Sequence, residues 1–371
     1  IFYSINGEIS RMQKENIEAI LKDYQCSYMG TDLVSANTVK EITVDGKNVS
    51  IKVVLGWPAE GIMAAFHENL NAKVMDAYPD INLTLDLSYE VIPHTVQGSI
   101  DRIKGIKNII AVASGKGGVG KSTTSVNLAL ALKEEGATAA ILDADIYGPS
   151  IPRMLGLSGR PDSDDGKTLE PKIGHGLQSM SIGLLVEEDT PMIWRGPMVT
   201  QALEQLLSDT NWQDVDFLII DLPPGTGDVQ LTLCQKIPLS GAVIVTTPQD
   251  ISLIDARKGL KMFEKVEVPV LGVVENMSTF ICPKCGTTES IFGEGGGEQL
   301  AMENDVKLLG ELPLQKSIRE EMDKGTPTVS ENPESPTSMA YREIARKMAA
   351  TLSMRKKDYS SAFPKIVIQN D

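Results

Sequence analysis

One nine-residue run constrains this chain more than any other: Gly115-Lys116-Gly117-Gly118-Val119-Gly120-Lys121-Ser122-Thr123. It fits G-x-x-x-x-G-K-[ST], the pattern of a phosphate-binding loop, and its surroundings supply the context that pattern needs. Residues 108–114 before it are apolar and partly β-branched, and read as a buried strand. Residues 125–132 after it carry apolar side chains at helical spacing. Strand, glycine loop and helix start, in that order, make a nucleotide site: backbone N–H groups close around phosphate oxygens and the helix N-terminus adds partial positive charge. Gly115, Gly117, Gly118, Val119, Gly120 and Thr123 would line that cradle. Lys121 is placed to meet the β/γ-phosphates and the Ser122 hydroxyl to ligate Mg²⁺.

From residue 108 onward strands and helices alternate, which implies an α/β fold with a mostly parallel sheet flanked by helices. The expected strands are 109–113, 139–142, 217–220, 242–246, 270–274 and 307–309. Several are unbroken runs of Val, Ile and Leu, as expected of strands covered on both faces. Ligands of such sheets sit at the carboxyl ends of the strands. Asp143-Ala144-Asp145 and Asp221 each close one of these runs. A carboxylate there is costly unless it meets a cation or donors, and beside a phosphate loop the cation is Mg²⁺. Asp221 is thus the expected second Mg²⁺ ligand, and Asp145 the group that positions the attacking water. Capping of helices or turns is the alternative for both, and Asp143 and Asp228 divide between structural and functional roles.

Residues 1–92 read as a separate small α+β domain, with 93–107 as a linker in which 99–104 could form a short helix. Ile9, Met12, Ile17, Ile20 and Leu21 lie at helical spacing. Two alternating strands flank Asp45-Gly46, a helix follows Pro58, and Leu83, Leu85 and Leu87 alternate as a closing strand. Cys26, His67 and His94 read as packing or surface residues. The α/β domain that carries the phosphate loop then runs 108–371.

The residues reach a family likeness at Lys116, a second lysine directly after the first glycine of the loop. Gly115 to Ser122 resembles the deviant Walker A motif of the MinD/ParA/nitrogenase-iron-protein superfamily of dimeric ATPases. That resemblance implies ATP as the nucleotide, a homodimer, and a role for Lys116 as a charge stabiliser acting across the dimer. Asp143 to Ser150, Asp221 to Asp228, Glu275-Asn276-Met277, Cys282-Pro283-Lys284-Cys285-Gly286, Phe292 to Gly297 and Leu309 to Pro313 follow the order seen in the Mrp/ApbC group of iron–sulfur cluster carrier ATPases. The resemblance implies that Asn276 reads adenine and that the chain exchanges clusters with assembly proteins and recipient apoproteins. Gly56-Trp57-Pro58-Ala59 is similar to a junction in the small domain preceding the ATPase in bacterial Mrp proteins. Gln25-Cys26-Ser27-Tyr28 stands where that domain has an acidic Asp-Pro-Glu-type motif, so no role depending on that motif is assigned.

Cys282 and Cys285 form the second chemical centre. Their two-residue gap lets both thiolates face one metal, yet one pair supplies two ligands where a closed zinc or [4Fe–4S] site wants four. A symmetric dimer makes up the shortfall, with two thiolates from each chain. A shared structural zinc obeys the same arithmetic, and a redox pair or free thiols remain alternatives.

Net charge is −15, which argues against nucleic acid or an anionic membrane as partner. No run approaches the roughly 20 apolar residues that span a bilayer, and a cytoplasmic location is expected. In MinD-like proteins a terminal amphipathic helix binds membrane. Here residues 339–353 are amphipathic, with Arg342, Arg346 and Lys347 on the polar side, and are expected to pack on the core instead. The leading reading is an ATP-dependent carrier of a labile cluster. The alternatives are a spatial-regulator ATPase that binds membrane or DNA, and an ATPase scaffold with a shared zinc.

Overall fold

The computed structural model describes residues 14–98, 100–185, 196–282 and 284–358. The chain divides into two units, Ile1–Glu90 and Val91–Asp371.

The first unit contains α1 (Lys14–Asp23), a two-residue strand pair β1 (Gln25–Cys26) and β2 (Thr31–Asp32), then β3 (Val39–Asp45), β4 (Asn48–Leu55), α2 (Met63–Ala77) and β5 (Asn82–Tyr89). β3 and β4 pair antiparallel with Asp45 opposite Asn48, so the turn is Gly46-Lys47, one position later than the sequence suggests. Gly46 has φ +59, a conformation open to glycine at little cost. α2 carries the chain back so that β5 lies parallel to β4. Along β4 every second residue is buried (Val49, Ile51, Val53, Leu55), and Leu21, Phe66, Leu70 and Val74 of the two helices are buried with them. Residues 9 and 12 of the expected first helix lie outside the described residues.

The second unit begins its sheet with β6 (Ile106–Ala113), followed by α3 (Lys121–Glu134), β7 (Ala139–Asp143), α4 (Ile151–Met154), β8 (Lys172–Gly174), β9 (Leu177–Ser181), α5 (Gly196–Asp209), β10 (Val215–Asp221) and α6 (Asp228–Lys236). Next come β11 (Gly241–Thr246), α7 (Asp250–Lys265), β12 (Val270–Ile281), β13 (Thr288–Glu289), α8 (Gly296–Glu303), β14 (Leu308–Leu314), α9 (Lys316–Lys324), α10 (Thr328–Glu331) and α11 (Pro336–Ser353). The strand order is β13-β12-β11-β6-β10-β7-β9-β8, with β14 also pairing β12. Only β8 and β13 run antiparallel to their neighbours. β7 and β11 are buried at every residue, as a sheet covered by helices on both faces requires. This is the expected α/β architecture.

Residues 100–104 form no helix. Arg102 instead donates to the carbonyls of His94 and Lys107 and pairs with Asp358, and the stretch ends in a turn before β6. β8 and β9 widen the sheet beyond the six expected strands. Their turn is His175-Gly176, both residues at positive φ, the geometry that a two-residue hairpin favours.

α3 is buried almost throughout, from Thr124 to Leu132, because the sheet covers one side and α11 the other. Glu135 ends that helix, where a carboxylate opposes the helix dipole. It is fully buried and offsets this by meeting two guanidinium groups, Arg342 Nε and Arg346 Nη1, each 2.7 Å from Oε1. The basic side of residues 339–353 is therefore turned inward. Replacing Glu135 with alanine leaves two largely buried cations facing each other. The expected cost is about 3 kcal/mol in urea unfolding, near the low end for a broken buried pair because Glu343 stays beside Arg346. A loss below about 1 kcal/mol would contradict this account. Among the described residues no helix is long and apolar enough to cross a membrane.

Candidate functional site

β6 is a central strand of the sheet, and its chain direction ends in the glycine loop. Two glycines there are required by sterics. Gly120 has φ +82, and a Cβ on it would collide with Asn276 Nδ2; a Cβ on Gly115 would collide with the backbone of Asp255 in α7. Ser114 Oγ donates to Lys116 O at 2.9 Å and tightens the turn. The loop is thus clamped from two sides, by α7 at its start and by β12 at its end.

β10 and β7 lie beside β6, and their ends bring the acids together. Asp221 is the register partner of Asp143 across the β10–β7 pair and of Val112 on β6. Asp221 is fully buried and saturated by three donors: Lys121 Nζ at 2.8 Å, Ser122 Oγ at 2.5 Å and Ser125 Oγ at 2.6 Å. Ser122 and Ser125 share a helix face through their i, i+3 spacing. The lysine, the first serine and the acid singled out in the sequence therefore form one compact group, and Ser125 joins it. Asp145 stands at the edge, Oδ2 4.0 Å from Lys121 Nζ. Burial raises its pKa while the Lys121 charge pulls it back down.

Asp143 is fully buried. Its Oδ1 accepts from Asp145 N, and its Oδ2 from Ile151 N and Ser181 Oγ, all at 3.1 Å. Burial first, and the adjacent Asp221 charge second, push its pKa to about 7. An unfolded aspartate titrates near ~3.9. The folded chain therefore holds a proton that the unfolded chain has lost. Stability from this group is complete below about pH 4 and is lost as pH rises towards about 7. Without nucleotide or magnesium, Asp143→Asn should gain stability relative to the parent over that window. The upper limit is roughly 4 kcal/mol. A difference between the two chains that stays flat from pH 4 to 7 would contradict the assignment.

Asn276 lies near the end of the apolar part of β12 and is 7% exposed; its Nδ2 donates to Val119 O of the loop at 2.8 Å. Beside it opens a cavity of about 220 Å³ lined by Gly120, Asn276, Met277, Pro313, Leu314 and Tyr341. Lys116 is half-buried and forms no ion pair among the described residues. Next to it, α7 exposes Ile251 (68%) and Ile254 (50%) on the turn that presses against Gly115.

β12 runs seven residues past its expected end at 274. Glu275, Asn276 and Ser278 are polar yet buried, because each has a partner: Gly297 N, Val119 O and Leu312 O. Such pairing leaves no periodic signal. The strand delivers the chain to Cys282 at the tip of the β12–β13 hairpin, which Cys282 N closes by donating to Thr287 O at 2.9 Å. Cys285 is exposed and Cys282 half-buried. The Cys285 thiol lies 3.2 Å from Thr287 Oγ1, and hydrogen bonds from Thr287 and then Cys282 hold its pKa below the usual thiol value. Cys26 and Cys234 are buried. Among the described residues no group of three or more His, Cys, Asp or Glu side chains could hold a metal. His175 bonds Ser330 Oγ and Gly325 O, and His94 packs against Asn108.

A mostly parallel sheet with a glycine loop after a central strand, and buried acids closing the neighbouring strands, defines a P-loop NTPase fold. Comparison with known proteins narrows the class. A family model described as NUBPL iron-transfer P-loop NTPase matches residues 105–349, and one described as iron-sulfur cluster assembly protein matches residues 14–82. The iron-sulfur cluster carrier protein of Escherichia coli (strain K12) is 62% identical over 251 residues, 67% of this chain and 68% of that protein. Its counterpart in Salmonella typhimurium (strain LT2) is 48% identical over 337 residues, 91% of each chain. A nucleotide-binding protein of Archaeoglobus fulgidus, solved in complex with ADP, superposes with a TM-score of 0.56 at 38% identity, covering 64% of this chain and 93% of that one. The chain belongs to the NUBPL-type family of iron-transfer P-loop NTPases.

Proposed function

We propose that this chain is an ATP-hydrolysing carrier of an iron–sulfur cluster, active as a homodimer. The observation that carries the reading is one strand, β12, which bears Asn276 against the phosphate loop and leads directly into Cys282 at the tip of the hairpin.

The residues present suit Mg-ATP. Ser122 and Asp221 offer adjacent hard oxygen ligands, now satisfied by each other and by Lys121, a donor set suited to a divalent cation. Mg²⁺ bound there supplies charge neutralisation at the β- and γ-phosphates. Lys121 turns from Asp221 to the β/γ-phosphates, and the loop N–H groups from Gly115 to Thr123 cradle the remaining oxygens. Asp145 orients the attacking water, at the edge of the same group. Asn276 keeps its Oδ1 for the adenine amine while Nδ2 holds Val119, and the 220 Å³ cavity beside it accommodates the base. Hydrolysis is slow, because water positioning rests on one half-buried carboxylate.

Lys116 reaches the partner's nucleotide. Ile251 and Ile254, exposed apolar residues beside it, support a dimer face at this edge. Each protomer contributes Cys282 and Cys285 to a shared [4Fe–4S] cargo. The exposed Cys285, its thiol pKa held below the usual value, gives a reactive thiolate in the reducing cytoplasm, and its place at the surface keeps the cluster accessible and releasable. The cargo passes from assembly proteins to apoproteins. Neither nucleic acid nor membrane is a partner: the charge is −15 and the α11 arginines are engaged with Glu135.

The test is transfer. The chain, loaded anaerobically with iron and sulfide, is mixed with an apo-enzyme that needs a [4Fe–4S] cluster. Recovery of that enzyme should outpace recovery with equal free iron and sulfide in the presence of chelator. Equal rates would overturn the carrier reading.

A further inference from the structure

We propose that the cavity between α4 and α9 binds a small organic polyanion, a molecule with two or more carboxylate or phosphate groups on a short carbon frame. It encloses about 650 Å³, a size usual for small-molecule sites. Arg153, Arg160 and Lys324 line it, and Lys172 Nζ lies 3.9 Å from the position a Cβ on Gly159 would take. Three cations lining one cavity, with a fourth close to its Gly159, run against the sign of the whole chain, which carries −15. Among the described residues none of Arg153, Arg160, Lys172 and Lys324 forms an ion pair. Among the described residues the acid in the lining, Asp323, is already paired with Arg319 Nη1 at 2.7 Å. Like charges around a concavity repel each other, and a ligand of opposite charge relieves that cost.

The rest of the lining says what kind of anion. Pro152, Leu157 and Leu184 supply an apolar wall that an inorganic ion would leave unused and a carbon frame would cover. The floor is rigid. Gly156 and Gly325 approach backbone to backbone so closely that a Cβ on Gly325 would sit 2.7 Å from Gly156 Cα. His175 holds Gly325 O through Nε2 at 2.8 Å and Ser330 Oγ through Nδ1 at 2.9 Å. Such a floor requires little ordering when a ligand arrives.

The cavity also adjoins the nucleotide site. Ile151 N, two residues before Arg153, donates to Asp143, and Asp323 lines both this cavity and the one beside Asn276. A polyanion drawn against Arg153 therefore pulls on the helix that begins at Asp143's donor.

Calorimetric titration of the full chain with citrate and with 2-phosphoglycerate tests this, with glycerol as the neutral control. At least one polyanion should bind saturably with a Kd below about 1 mM, and glycerol should not. Lys121→Ala should leave that binding unchanged, which separates this cavity from the phosphate loop. Arg153→Ala with Arg160→Ala, both exposed positions, should weaken it at least about tenfold. Tighter binding of 2-phosphoglycerate than of citrate assigns a phosphate to the ligand, and the reverse order assigns carboxylates alone. Absence of saturable heat with both probes, or binding unchanged in the double variant, overturns the proposal.

Discussion

Lys121→Ala should reduce ATP turnover by a factor of at least about 10²–10³, the loss typical when one preorganised positive donor is removed from a developing negative charge. The side chain is 6% exposed and sits 2.8 Å from Asp221. Among the described residues no other cation lies that close to the acid pair at the ends of β7 and β10. Asp221 keeps Ser122 and Ser125 in the variant, so the fold should survive. Lys116→Ala makes the informative contrast. It should lower turnover with little change in ATP affinity, because it acts on the transition state and from the other protomer. Mixing the two variants should then restore activity to about a quarter of the parent, since half of the dimers are mixed and each has one complete site. Turnover retained by Lys121→Ala would refute the phosphate-site assignment, and no recovery on mixing would refute action in trans.

Cys282→Ser should abolish the brown chromophore formed on anaerobic loading with iron and sulfide. A serine hydroxyl is a poor substitute for a thiolate at iron, and one remaining cysteine per chain leaves two thiolates where four are needed. Cys285→Ser should behave alike. Cys26→Ser and Cys234→Ser should keep the colour, because both thiols are buried and burial pushes that of Cys234 to about 12. Equal iron uptake by the parent and Cys282→Ser would defeat the assignment.

Much of this site was legible because its chemistry needs specific residues at fixed spacing. The glycine loop, Asp143, Asp145 and Asp221 could be placed at strand ends before any coordinates, and the sheet brings Lys121, Ser122 and Asp221 within hydrogen-bonding distance. What escaped was pairing between residues distant in sequence. Ser125 reads as an ordinary helix residue until Asp221 is set beside it. Glu275, Asn276 and Ser278 look like the end of a strand because their polarity hides that each is buried against a partner. The α11 arginines read as a solvent face because Glu135, their counter-ion, lies two hundred residues away. The β8–β9 hairpin has no signal in the sequence for a local reason: a three-residue strand is too short for periodicity, and its turn places a non-glycine residue, His175, at positive φ.

The central claim is that two chains share one iron–sulfur cargo through Cys282 and Cys285. Iron, zinc and acid-labile sulfide, measured per dimer in protein purified without oxygen, test it most directly. The account predicts about four iron and about four sulfide per two chains, lost together in Cys282→Ser. Zinc without sulfide, or iron bound per single chain regardless of Cys282, would contradict it.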